Sequence, residues 1–206
     1  LIGGQFTSYN GTARNRITRV NTDGTLDASF APGSGADNTV RGIAEQSDGR
    51  IVIAGQFTNY NGTARNRVAR LNANGTLDAT FSPGSGVNVG NTVSWVAIQP
   101  DGKIILAGEF TQYNGTARNN LVRVNANGSL DASFTIGTGP NQWLYGAVLQ
   151  DDGKVIIFGG FTSYNGTARN YIARLNADGS IDTGFNPGTG ANNFVESAWL
   201  QHDVRI

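Results

Sequence analysis

The ten-residue string FTxYNGTARN begins at Phe6, Phe57, Phe110 and Phe161, at spacings of 51, 53 and 51 residues. A period of that length across a 206-residue chain means that one supersecondary unit is used four times. Each copy runs on into an apolar stretch ending in Arg-Val-Asn or Arg-Leu-Asn. An Asn-Gly or Asp-Gly turn follows, then Leu/Ile-Asp-x-x-Phe, then a Gly-rich loop that leads to the next copy.

The unit itself reads as all-β. Among 29 Gly and many Asn there are few stretches without a residue that tolerates positive φ, so elements are short and turns tight. No window carries an apolar period of 3.6 over three turns. In the second copy, Val40 to Gln46 predicts a strand, and Asp48-Gly49 a hairpin turn suited to β-twist. Arg50 to Thr58, Arg65 to Asn72 and Thr76 to Phe81 follow as further strands, separated by Asn61-Gly62 and Asn74-Gly75. Cores such as Ile104-Ile105-Leu106-Ala107 and Leu121-Val122-Arg123-Val124 are apolar on both faces, as expected of sheets packed between two others. Four-stranded antiparallel meanders stacked in this way make the blades of a β-propeller. A solenoid β-helix competes, but its coils are shorter and need no three hairpins per turn.

The expected architecture is therefore a single four-bladed β-propeller domain over 1–206, with blades near 39–81, 92–134 and 143–185. The fourth blade combines 194–206 with 1–30, because VESAWLQHDVRI followed by LIGGQFTSYNG aligns without a gap against the segment from Val40. The turn glycine of that hairpin (Gly49, Gly102, Gly153) becomes Val204 where the hairpin is broken. Pairing of the terminal strands is expected to close the ring.

The run DGKIILAGEFTQYNGTARNNLVRVNANGSLDASF closely resembles the delta-60 repeat, a bacterial propeller-forming repeat, and the likeness recurs over essentially the whole chain. These copies are slightly shorter than usual for that family. The resemblance implies display on a cell surface or secretion, within large tandem-repeat proteins, and brings no catalytic residue with it.

Formal net charge is zero with acids and bases interleaved, which argues against nucleic acid as a partner. No apolar run reaches the length of a membrane span. Without Cys there is no disulfide, thiolate chemistry or Cys-based zinc site. The lone His202 has no neighbouring acid or nucleophile, and the prominent acids recur once per copy, which suits structure better than catalysis. No enzyme activity, cofactor or metal is expected. Asn21-Thr-Asp23-Gly24-Thr-Leu-Asp27 has oxygen-rich spacing, but Asn74 and Asn127 replace the middle acid, leaving an Asx-type turn as the better reading.

Arg19, Arg70, Arg123 and Arg174 interrupt apolar strands and must be paired if buried, with Asp27, Asp78, Asp131 and Asp182 as partners. The YNGTAR loops place Tyr9, Tyr60, Tyr113 and Tyr164, with Arg14, Arg65, Arg118 and Arg169, on one face of the ring. Such a face suits multivalent glycan binding, or else simple loop packing. Its Asn-Gly-Thr strings at Asn10, Asn61, Asn114 and Asn165 match glycosylation sequons but are already needed as turns. The copies disagree along the first strand, at Arg41, Ser94, Tyr145 and Glu196, and beside it at Trp95 and Trp143. That channel wall would carry any specific ligand, or bulky plugs for a narrow bore. The expected function is a non-enzymatic extracellular module binding a glycan or surface protein. The alternative is a structural repeat that self-associates or builds an appendage.

Overall fold

Alternation of turn residues with short β-branched runs produces strands and no helix in the computed structural model, which describes residues 1–88 and 92–201. Each of the last three repeats forms a three-stranded antiparallel sheet. The second is Val40–Glu45, Ile51–Gly55 and Val68–Leu71; the third Thr92–Ile98, Ile104–Glu109 and Leu121–Val124; the fourth Leu144–Leu149, Val155–Gly159 and Ile172–Leu175. The first repeat contributes Ile2–Gly3 paired with Ile17–Thr18. The YNGTAR loops are small ribbons of their own, such as Asn59–Tyr60 against Thr63–Ala64.

The second strand, Ile51–Gly55, stops short of the expected Thr58, and the next two depart further from expectation. The third strand starts at Val68 rather than Arg65, because Arg67 has φ 67° and breaks the extended run. Its guanidinium turns back to donate to the Phe57 carbonyl at 3.1 Å. The fourth strand is reduced to the single bridge Leu71–Leu77. Asp78 ends it, accepting from Thr80 N at 2.9 Å and bending the chain toward the next sheet.

The two-sided apolar strands bury one side chain set on each neighbour. Ile51 and Ile53 pack with Ile17 and Phe30 of the first repeat, while Val52 and Ala54 pack with Val93, Ile104 and Leu106 of the third. Ile105 and Ala107 then join Leu144, Val155 and Ile157 of the fourth. The core is thus three layers of apolar packing, one at each junction between successive repeats.

The inner strands of the second, third and fourth repeats run side by side. Each carries a β-bulge at the same place: pairing passes from Val40–Gly55 to Gly42–Ala54, from Val93–Gly108 to Trp95–Ala107, and from Leu144–Gly159 to Gly146–Phe158. Glycine is required opposite the bulge. A Cβ on Gly55 would run into the Thr39 carbonyl oxygen, and one on Gly108 into that of Thr92.

The ring closure expected from the termini is not formed among the described residues. Residues 194–201 belong to no sheet, and His202, Val204 and the rest of the expected closing strand lie outside the described residues. Val195 N does donate to Gly159 O at 3.4 Å, the positional equivalent of Val40 N to Gly4 O at 3.2 Å.

Two glycine substitutions test this account. Gly55→Ala should lower stability by about 2–3 kcal/mol, because the backbone it meets cannot move aside. Gly62→Ala, with φ +77° and open space around it, should cost only the ~1 kcal/mol of left-handed strain. Urea midpoints of the two variants check the difference.

Candidate functional site

Arg70 sits in the third strand between two sheets and is almost completely buried, so its donors need partners. Nε donates to Asp78 Oδ2 at 2.7 Å and Nη2 to Thr80 Oγ1 at 3.0 Å. Nη1 reaches across the junction to the Ala126 carbonyl of the next repeat. The guanidinium also lies over the Phe81 ring, 5.2 Å from its centroid. Arg19 and Arg123 repeat the arrangement, pairing with Asp27 and Asp131 at 2.6 Å and donating to Ala73 O and Ala177 O at 2.6 Å. Arg174 pairs with Asp182 at 2.7 Å.

The carboxylates are held well below their ordinary range. Asp27 falls to about 2 through the Ser29 hydroxyl, the Ser29 amide and Arg19, in that order. At Asp37, burial acts the other way but is outweighed by hydrogen bonds from Thr58 and Asn59, and its pKa is also about 2. Asp131 is lowered against its burial by Ser133, Arg123 and Lys103. In the oxygen-rich loop, Asp23 Oδ1 accepts from Thr25 N at 3.0 Å and Thr25 Oγ1 at 2.7 Å, an Asx turn. No group of three or more His, Cys, Asp or Glu able to hold a metal occurs among the described residues.

The tyrosine face expected to meet a ligand is corrected by the structure. Tyr60, Tyr113 and Tyr164 are fully buried, and their hydroxyls donate to the carbonyls of Gly75, Gly128 and Gly179 at 2.7, 2.6 and 2.6 Å. Burial pushes each phenol pKa up. The loop of the preceding repeat covers them, through the bridges Ala36–Tyr60, Val87–Tyr113 and Pro140–Tyr164. Tyr9 is half-buried and donates to Gly24 O at 2.9 Å. Arg14, Arg65, Arg118 and Arg169 are half-buried, each donating to the carbonyl of the preceding alanine at 2.8–2.9 Å.

The variable column behaves differently. Arg41, Ser94 and Tyr145 are the three bulged residues, left out of the ladder in each inner strand. A bulge re-aims its side chain, and all three line one open cavity of about 490 Å³ together with Gly4, Gln5, Thr39 and Val40. The side chains of Arg41, Ser94 and Tyr145 make no hydrogen bond or ion pair among the described residues. Glu196, the fourth member, is exposed on the segment outside the sheets and does not join them.

The tryptophans lie elsewhere. Trp95 rests against Gly146 and meets Phe158 edge-on at 6.4 Å, remaining 40% exposed. Trp143 covers Gly160 and meets Phe194 at 5.4 Å. It also borders a separate 570 Å³ cavity with Glu109, Asn120 and Asn141 at the third junction.

Sequence reasoning missed one set of contacts, the asparagines of the turns. Asn61, Asn114 and Asn165 do more than turn the chain: each Oδ1 accepts from the backbone of Ser34, Ser85 or Thr138 in the preceding repeat, at 3.0, 3.1 and 3.2 Å. The signal was present as Asn-Gly and Pro-Gly-Ser/Thr-Gly sharing one period.

Two measurements probe these electrostatics. Asp78→Ala strands a buried guanidinium and should cost about 3–5 kcal/mol. Removing the exposed Asp48 beside Arg50 (3.4 Å) should change stability by less than ~1 kcal/mol. Asp27 and Asp37 bind protons less readily folded than unfolded. Their stabilisation is therefore complete above their ordinary pKa of 3.8 and is lost as pH falls through about 2. Denaturant midpoints measured from about pH 6 downward should fall in that window.

A family model supports the β-propeller repeat. The family model described as "Domain of unknown function (DUF5122) beta-propeller" matches residues 1–30, 46–81, 99–134 and 150–185. No curated protein matches the chain. A crystal structure of a protein of unknown function from Bacteroides caccae is similar at 16% identity and a TM-score of 0.32, covering 80% of this chain and 72% of that one. Four matches, in phase with the four repeats and spanning most of the chain, assign it: the protein belongs to the DUF5122 beta-propeller family.

Proposed function

We propose that the chain is a non-enzymatic binding module, displayed outside the cell, that takes an acidic glycan at the mouth of its axial cavity. The observation that carries this reading is the bulge column. Three side chains that differ from copy to copy, Arg41, Ser94 and Tyr145, turn into one cavity without partners of their own. Its 490 Å³ lies within the range of small-molecule sites. Arg41 supplies a planar cation for a carboxylate, Ser94 a hydroxyl, and Tyr145 a ring and hydroxyl for a sugar. Extracellular display rests on the delta-60-like character of the repeat.

A second reading, a purely architectural repeat, draws on the junctions, where the repeated Tyr, Asn, Arg and Asp side chains are taken up by packing and hydrogen bonds. The two readings separate on a glycan array bearing neutral, uronic-acid and sialic-acid saccharides. Binding confined to acidic saccharides is expected. Arg41→Ala should abolish it and Tyr145→Phe weaken it several-fold, with unfolding midpoints unchanged. An array without signal, or Arg41→Ala binding like the parent, would sink the glycan reading and leave the architectural one.

A further inference from the structure

The residue after each FTxYNGTARN string has positive φ in all four repeats while its identity changes: Arg16 at 66°, Arg67 at 67°, Asn120 at 63° and Tyr171 at 67°. The four side chains therefore leave the same backbone conformation. In the second repeat the Arg67 guanidinium is almost completely buried and turns back onto two carbonyls. Its Nη1 donates to Gln56 O at 2.6 Å and to Phe57 O at 3.1 Å. In the first repeat Arg16 Nη1 donates likewise to Gln5 O and, at 3.3 Å, to Phe6 O. These two repeats carry a guanidinium of their own against the carbonyls that follow the second strand.

The third repeat has no such group. Asn120 makes neither bond, and its amide is committed elsewhere: Oδ1 accepts from Phe110 N at 3.2 Å, and Nδ2 donates to Pro140 O at 3.1 Å. Here lies the 570 Å³ cavity bordered by Trp143, with Phe110 and Asn120 buried in its lining and Glu109, Asn141 and Gln142 exposed. Two further replacements fall at the same place. The first two repeats have Gln5 and Gln56 where the third has Glu109, a carboxylate with no ion pair among the described residues. The second and third repeats have Thr39 and Thr92 where the fourth has Trp143. That indole fits because Gly160 stands in the glutamine column beneath it, where a Cβ would come within 2.5 Å of the ring. One cavity has thus lost an internal arginine and gained an acid and an indole.

We propose that this cavity binds a guanidinium brought by another molecule, an arginine side chain of a partner protein or the free amino acid. The incoming group takes the part that Arg16 and Arg67 play within their own repeats. Glu109 pairs with it through its carboxylate, whose two oxygens suit the planar fork of a guanidinium better than the point charge of an ammonium. The Glu109 carbonyl accepts as the Gln56 carbonyl does, and Trp143 supplies a ring on which the flat cation stacks. The volume lies in the range of small-molecule sites, enough for the aliphatic stem to enter with the head. The site shares no lining residue with the bulge-column cavity, and the inference does not rest on the glycan reading.

Isothermal titration calorimetry with Nα-acetyl-arginine amide, and with an extended Gly-Ser-Arg-Ser-Gly peptide, tests it. The citrulline analogues of both keep the shape and remove the charge. Saturable binding of the arginine probes is expected, at least ~10-fold tighter than that of their citrulline analogues. A peptide that binds more tightly than the amide assigns the site to a protein-borne arginine; equal affinity assigns it to the side chain alone. Glu109→Gln installs the residue of the first two repeats and should weaken binding at least ~10-fold with the unfolding midpoint unchanged. Asn120→Arg restores an internal arginine at a φ that Arg16 and Arg67 already adopt. Folded by circular dichroism, that variant should no longer bind either probe. A chain that binds neither arginine probe, binds citrulline as tightly, or is unaffected by Glu109→Gln would overturn the proposal, as would a folded Asn120→Arg variant that binds like the parent.

Discussion

A guanidinium placed between two β-sheets has no water to turn to, and the rest of this molecule is arranged around that fact. Arg70 needs a carboxylate, a hydroxyl and a carbonyl, and the three come from different places: Asp78 and Thr80 from its own repeat, Ala126 from the next. One side chain thereby ties the end of a sheet to its own last strand and to its neighbour. Severing a buried pair costs more than forming it contributes, so the loss of either partner weighs more than the pair's net stabilisation. Phe81 beneath the same guanidinium adds apolar area to the contact. The Arg, the Asp eight residues on and the Phe three beyond that share one period because they form one joint.

The same logic explains the loops. Asn61 is held at φ 47° by the Asn-Gly turn, and its side chain thereby reaches Ser34 of the preceding repeat. Tyr60 points inward beside it because its ring is covered by that repeat and its hydroxyl has the Gly75 carbonyl to bond. An exposed tyrosine would leave both the ring and that carbonyl without partners. Repetition of YNGTAR is therefore repetition of a seam.

Much of this was legible in the residues. The period, the hairpin glycines and the two-sided apolar strands such as Ile104–Ala107 lead directly to stacked antiparallel sheets, and charge balance demanded a partner for each strand arginine. Other features depend on tertiary context. Nothing local in Tyr-Asn-Gly says which way the tyrosine turns, since the deciding contact comes from the preceding repeat. Nothing local in Thr-Leu-Asp says that the fourth strand shrinks to one bridge, because the competing Asx turn at Asp78 wins only once Arg70 holds the carboxylate. A bulge has a legible sign in hindsight: Gly4, Gly55, Gly108 and Gly159 recur inside or at the end of apolar strands, where glycine otherwise weakens pairing.

That glycine also accounts for where the repeats are free to differ. With Gly55 letting the Thr39 carbonyl come close, the inner strand gains one residue that the ladder does not use. Along the paired strands of the second and third repeats a side chain mostly meets a neighbour on one face or the other, since those sheets are packed on two sides. At the bulge a change of side chain disturbs neither, because Arg41, Ser94 and Tyr145 leave the ladder and line a shared open cavity. A scaffold whose identical joints resist variation thus keeps one position in each of the second, third and fourth repeats outside the constraint, and brings those three to the same space. Under the proposed binding role, specificity belongs where the backbone has already released the side chain from structural duty.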